Sequence, residues 1–194
     1  MKSVQDSSRS EATLSEAQLI DAARDGDAES FKAIVRMLES RVAATAIGML
    51  GMCPEAEDAG QEAFIRLHKA LPGFREESSL ATYVTRIVVN LCLKQRGQRK
   101  RRSEVFVRLG ADSPDIADPR SLVDRHEQRD LVNWALGQVN SKDRAVLVLR
   151  LMQQCSTRET AEILDVPEGT VTSRLARAQQ KLRAILESQT GQKP

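Results

Sequence analysis

Residues 159–182 read ETAEILDVPEGTVTSRLARAQQKL, two short helical patterns with a proline and a glycine crowded between them. In the first, Ala161, Ile163 and Leu164 can pack on one side of a short helix, and DVPEG at 165–169 supplies a tight turn. In the second, Val171, Leu175, Ala178, Leu182 and Ile185 step by four and three residues, the repeat of one buried helical face. Beside that face, Arg174, Arg177 and Lys181 are spaced by three and four, so their cationic ends project together from one side. A short helix, a tight turn and a longer helix with a basic outward face form the helix-turn-helix pattern, whose second helix enters the DNA major groove. Thr172, Ser173 and Arg174 would lie nearest base edges or phosphates, Arg177 and Lys181 would pair with the backbone, and the positive helix end at Thr170 would assist phosphate contact. The competing reading is a plain helical hairpin with a solvated basic face, and this pattern alone leaves both open.

The flanking sequence is helical on both sides. Downstream of residue 120 the apolar spacing predicts helices near 121–137, from Ser141 to about Met152, from Ser156 to about Leu164, and from Thr170 to about Glu187. STRE at 156–159 is a capping box for the third of these. Near the N-terminus, SEAQ at 15–18 is another capping box, with Leu19, Ile20 and Ala23 following on one face. DGD at 25–27 ends that helix and begins the next, which carries Phe31, Ile34, Val35, Leu38 and Val42. Pro54 marks a further start, with Glu55, Glu57 and Asp58 where the helix dipole favours negative charge. Ala63, Phe64, Leu67, Ala70 and Leu71 form that helix's buried stripe, and PGF at 72–74 stops it. After the polar loop REESS, Leu80, Tyr83, Val84, Ile87 and Leu91 turn inward on another helix.

That helix runs into KQRGQRKRR at 94–102, six of whose nine positions are Lys or Arg. Such runs are solvated tails or phosphate-binding patches. Extension from a packed helix favours a surface that tracks nucleic acid. EVFVRLGADSPDIADPR at 104–120 then changes character, with two prolines, a glycine, four acidic residues and no sustained period, and reads as a linker. Glu104, Asp112, Asp115 and Asp118 outweigh Arg108 and Arg120, so it is mildly acidic; on composition it is a plain flexible tether. EVFVRL is the one stretch with any strand character, so the expected class is all-α: two small helical domains on a flexible linker.

Composition bounds the function. A chain of 194 residues with 41% apolar and 29% charged side chains fits an ordinary soluble protein of two small units. Its 29 basic and 27 acidic residues nearly cancel, so distribution matters more than the net +2. Cys53, Cys92 and Cys155 are odd in number and outside metal-ligand spacing, which argues against a disulfide framework or structural zinc and fits a reducing cytoplasm. MKSVQDSSRSEAT at 1–13 lacks the apolar core of a signal peptide, and no apolar run approaches a membrane span. The expectation is a cytoplasmic protein with no membrane insertion and no cofactor.

Taken together, the chain resembles the extracytoplasmic-function group of bacterial RNA polymerase sigma factors over about residues 15–188. PEAEDAGQEAFIRLHKALPGF at 54–74 is similar to the family's segment that docks on the clamp of the polymerase β′ subunit. SSLATYVTRIVVNLCLKQRGQRKR at 78–101 resembles the segment that recognises and opens the minus-ten element, and 157–186 resembles the minus-thirty-five reader. The resemblance implies a tail at 1–13, a region 2 domain at 14–103, a linker at 104–120, a region 4 domain at 121–188 and a tail at 189–194. It assigns Asp58, Gln61 and Glu62 to the polymerase clamp. It assigns Arg75, Ser78, Ser79, Thr82, Tyr83, Arg86, Asn90, Lys100 and Arg101 to minus-ten DNA. Thr170, Thr172, Ser173, Arg174, Arg177 and Lys181 fall to the minus-thirty-five element, and the linker would thread toward the active-site cleft. Core RNA polymerase (β′ clamp and β subunit), promoter DNA and a cognate anti-sigma factor are the implied partners.

Several positions depart from the family pattern. Tyr83 stands where tryptophan is usual and also reads as core; Gly60 replaces an apolar residue, and Leu80 takes a place often aromatic. Thr172 and Ala176 replace larger or charged residues, so the family's usual promoter sequence does not carry over. The nearest rival, a stand-alone helix-turn-helix regulator, explains 121–188 but not 54–101. An enzyme is the more distant one: His68 and His126 are isolated, and no Gly-rich phosphate loop or nucleophile motif is present.

Overall fold

A computed structural model describes residues 15–108 and 126–190. The expected tail at 1–13, the linker from 109 onward, positions 121–125 and the last four residues lie outside the described residues. Among the described residues there are helices and no strands.

The N-terminal unit begins where its capping box places it. Ser15 Oγ accepts from the Gln18 N–H at 3.3 Å and Gln18 Oε1 accepts from the Ser15 N–H at 2.9 Å, opening α1 (Glu16–Arg24). Asp27 caps α2 (Ala28–Leu50) by accepting from the Ser30 N–H at 2.9 Å, and Ser30 holds its carboxyl below the usual range. Pro54 is the first residue of α3 (Pro54–Ala70), where its missing N–H costs nothing. A 3-10 turn at Leu71–Gly73 and an extended Phe74 lead to α4 (Leu80–Arg108), which Ser79 caps by accepting from the Thr82 N–H at 3.1 Å.

α4 corrects the expected boundary. The linker was expected to begin at 104, with strand character in EVFVRL, yet Glu104–Arg108 continue the helix. Extending a formed helix costs no new nucleus, whereas a strand needs a partner edge, and the described residues supply none.

The C-terminal unit comprises α5 (His126–Gly137), α6 (Ser141–Leu147), a π-turn at Val148–Met152, α7 (Thr157–Leu164) and α8 (Glu168–Thr190). The segment expected as one helix from Ser141 to Met152 has that span but widens in its last turn, where the Gln153 N–H donates to Val148 O at 3.0 Å. One extra residue per turn brings the neighbouring Val148 and Leu149 into the core together, each 0% exposed.

The main core is built from Ile34, Leu38, Val42, Ala46 and Met49 of α2, Ala59, Ala63 and Leu67 of α3, and Val84 and Val88 of α4. Gly60 admits the close passage of α2 past α3: a Cβ there would lie 3.5 Å from Val42. Tyr83 is half-buried with its ring 5.1 Å from that of Phe74, which fits its reading as core. This core does not stop at the first unit: Ala145, Val148, Leu149, Cys155 and Ile163 belong to the same cluster. Two smaller clusters, one of Leu136, Val139, Leu147 and Ala178 and one of Val146, Ala161 and Val171, hold α8 against α5, α6 and α7.

Candidate functional site

The helix-turn-helix is built locally from caps. Ser156 Oγ accepts from the Glu159 N–H at 3.1 Å and Glu159 Oε2 accepts from the Ser156 N–H at 2.7 Å, so α7 starts on its expected capping box. Those bonds hold the Glu159 carboxyl below the usual range. Ser156→Ala should cost about 1 kcal/mol at neutral pH. Because the folded pKa is lowered, that contribution is present above the ordinary glutamate range and is lost as pH falls through the lowered value, so wild-type and variant melting temperatures should converge in acid.

α7 ends at Asp165, whose left-handed backbone (φ 50°, ψ 56°) turns the chain, and the Val166 N–H returns to Ala161 O at 3.0 Å. Val166 packs beside Val146, Ala161 and Val171, so the three-residue turn 165–167 is tied to the core that orients α8. Helix α8 starts at Glu168, two residues before the expected Thr170; the positive helix end therefore lies at Glu168 and Gly169, while Thr170 is half-buried. Pro167, directly after the turn, ends the preceding geometry and leaves its carbonyl to accept from the Thr170 N–H at 2.9 Å.

On α8 the division into faces holds. Val171 and Ala178 are fully buried, and Thr172, Ser173, Ala176, Arg177, Gln179, Gln180 and Lys181 are exposed, with Arg174 half-buried at the edge. Thr172 and Ser173 donate their hydroxyls to Glu168 O at 3.2 Å and Thr170 O at 3.1 Å, and the Arg177 Nε donates to Ser173 O at 3.3 Å. The outward face thus presents cations and amides held close to the helix axis.

In the first unit, Asp58 and Gln61 are exposed on α3, while Glu62 accepts from Arg66 Nε at 2.8 Å. Glu55 faces the other way and pairs with Arg99, which, with its own helix-start N–H, keeps its carboxyl low. The loop 75–79 is pinned to α1 by Arg24, which donates to Phe74 O and lies 3.0 Å from the Glu76 carboxylate. Arg75 and Ser79 are exposed and Ser78 is half-buried. Glu16, Phe74, Ser78, Ser79 and Leu80 border an open hollow of about 320 Å³. Thr82, expected to meet DNA, is buried, its hydroxyl accepting from Ser79 Oγ at 2.9 Å, so it serves the helix cap instead of the surface. Asn90 is exposed on α4, and so is Arg101, whose Nε donates to Gly97 O at 3.3 Å. Lys100 lies in α4, with its side chain outside the described residues.

Arg86 has a second occupation that spacing on α4 does not reveal: its Nη2 donates to Glu162 O of α7 at 2.8 Å and lies 3.4 Å from the Glu162 carboxylate. Arg24 and Arg86 were therefore the roles least legible beforehand, because each acts on a partner far along the chain.

Nothing here resembles a metal or nucleophile site. Among the described residues no group of three metal-ligating side chains assembles. Burial pushes the Cys92 thiol up to about 12 and raises Cys53 and Cys155 as well, which leaves all three as weakly reactive thiols. No helix among the described residues is long and apolar enough to cross a membrane.

Comparison with known proteins places both units. Residues 34–102 match Sigma-70 region 2, and residues 132–182 match Sigma-70, region 4. RNA polymerase sigma-H factor of Pseudomonas aeruginosa is 29% identical over 179 residues, covering 88% of this chain and 93% of that protein. ECF RNA polymerase sigma factor SigW of Bacillus subtilis is 30% identical over 174 residues, covering 84% and 92%. The fold is also that of the sigma factor RpoE of Bartonella quintana, solved with the anti-sigma factor NepR, at a TM-score of 0.66, 22% identity and coverage of 82% and 98%. With a region 2 helix bundle, a region 4 helix-turn-helix and a relative matched along nearly its whole length, the chain belongs to the ECF sigma factors, which direct RNA polymerase to promoters.

Proposed function

We propose that the two units divide promoter reading between them, acting in the cytoplasm and without catalytic chemistry of their own. Residues 14–103 bind core polymerase and handle the minus-ten element, and 121–188 read the minus-thirty-five element. The observation that carries this division is α8: Arg174, Arg177 and Lys181 share one side of a helix whose opposite side is buried in its own core. Its exposed start, Thr172 and Ser173, meets base edges, and the cations meet phosphates. Asp58 and Gln61, exposed on α3, and Glu62 beside them offer carboxylates and an amide to basic groups of the β′ clamp, while region 4 docks on the β subunit.

Arg75, Ser78, Ser79, Arg86, Asn90, Lys100 and Arg101 take the unstacked non-template strand, with Thr82 and Tyr83 shaping the loop that presents them. The linker passes toward the active-site cleft. The anti-sigma factor in the RpoE structure supports a cognate anti-sigma partner for this chain as well.

Binding of duplex promoter DNA by the chain alone and with core polymerase tests the division. Tight, promoter-specific binding is expected only with core; equal binding by the chain alone would defeat it. Within the same assay, neutralising Lys100, Arg101 and Arg102 should weaken all promoters alike and flatten the plot of log K against log salt by up to about 2 to 3 units, three phosphate contacts at ~0.7–0.9 each. An unchanged slope would show the basic run to be solvated surface.

A further inference from the structure

The second unit is docked on the first through a built contact. α2 has no basic residue in its last turn, so its terminal carbonyls and the negative end of its dipole call for cations from elsewhere. Two arginines supply them. Arg144 of α6 reaches across with Nε donating to Gly48 O at 2.7 Å, and Arg96 of α4 donates to Met49 O at 3.2 Å, to Val139 O at 3.3 Å and to Ser141 Oγ at 3.0 Å. Arg144 is 2% exposed, so this is interior structure. Gly48 makes the approach possible, since a Cβ there would lie 3.0 Å from both Val148 methyl carbons and 3.1 Å from Met152 Sδ. Further along, Arg86 holds the carbonyl and carboxylate of Glu162, and Ile163 enters the shared core.

We propose that the free chain is a self-closed sigma factor, latched at the Gly48 notch and by Arg86 on Glu162, and that engaging polymerase and promoter requires the two units to part. This rests on the promoter-reading proposal above. Two observations give the latch its consequence. Arg86, a candidate contact to the melted strand, is committed to α7 while the latch is shut.

The closed form is also too small for both DNA elements. Sites about 25 base pairs apart lie roughly 85 Å apart on straight B-DNA at ~3.4 Å per step. A compact chain of this length has a radius of gyration of roughly 16 Å, and so is about 40 Å across. Closed, it can hold one element at most. Apparent affinity for core therefore falls by the fraction of chain that is open, and whatever loosens the notch raises it.

The test uses the full chain carrying a donor and an acceptor dye on unnatural amino acids at Lys69 of α3 and Gln180 of α8, both exposed. Wild type alone should give one narrow, short distance that lengthens on adding core polymerase. Gly48→Leu, which keeps a good helix former in α2 but fills the notch, should give a broad, long distribution without core and bind core about tenfold more tightly. Gly48→Ala should open the chain partly, and Gly48→Ala combined with Val148→Ala, which removes the obstructing methyls, should close it again; circular dichroism verifies that each variant is folded. A free wild-type chain as broad as Gly48→Leu, or a Gly48→Leu chain as narrow as wild type, would overturn the latch. The distances decide the latch by themselves, whereas failure of every variant to bind core would instead defeat the promoter-reading proposal.

Discussion

Arg174→Ala combined with Arg177→Ala is expected to cut initiation from promoters that depend on a minus-thirty-five element by at least about 30-fold, at ~1–3 kcal/mol for each lost contact. The effect should be confined to recognition. Arg177 is exposed and Arg174 half-buried, and the packing of α8 rests on Val171, Leu175, Ala178, Leu182 and Ile185. The double variant should therefore melt close to wild type. Arg177 is also tethered to Ser173 O, so less side-chain freedom is lost on binding than for an untethered arginine. Run-off transcription with core polymerase on promoters with intact and scrambled upstream elements measures it: the wild-type advantage on the intact promoter should collapse, while the scrambled promoter is indifferent.

Arg144→Ala is expected to lower unfolding stability by about 3 kcal/mol, and Arg144→Met by about 1 kcal/mol. Alanine leaves a cavity among Ala145, Val148 and Met49 and an unpaired Gly48 carbonyl; methionine fills the volume and loses only the donor. Burial pushes the guanidinium down to about 10, so it is still charged at neutral pH, and its Nη2 has no hydrogen-bond partner. A buried charge with no carboxylate opposite it is a poor stabiliser for its own sake, which is why an apolar replacement of like size is tolerated. Urea unfolding of the two variants beside wild type checks the ranking, and equal losses would show that the charge, not the volume, matters.

These two arginines mark what the sequence makes legible. Arg174 and Arg177 are read from spacing because both their neighbours and their solvent-facing side are set by one helix. Ser15, Pro54 and Ser156 are equally local: each start signal reaches partners within three or four residues, and each helix begins there. The same reading places α8 two residues late, since Glu168 and Gly169 carry no apolar period. It also stops α4 too early, because prolines and acids further on in 104–120 coloured a segment that still propagates as helix.

Arg144, Arg96, Gly48 and Arg86 lie beyond such reasoning. Arg86 and Glu162 are 76 positions apart and Arg144 and Gly48 are 96 apart, and periodicity reports a face without saying what covers it. The one local sign was an arginine set directly before the apolar run 145–149, where a solvated charge has no place.

The most direct measurement is run-off transcription by core polymerase and this chain on a promoter library randomised upstream of the start site. The account predicts transcripts enriched for two separate sequence blocks at a fixed spacing. Arg174→Ala with Arg177→Ala should erase preference in the upstream block only, and Asn90→Ala with Arg75→Ala in the downstream block only. No initiation above core alone, or enrichment of a single block untouched by the α8 variants, would contradict it.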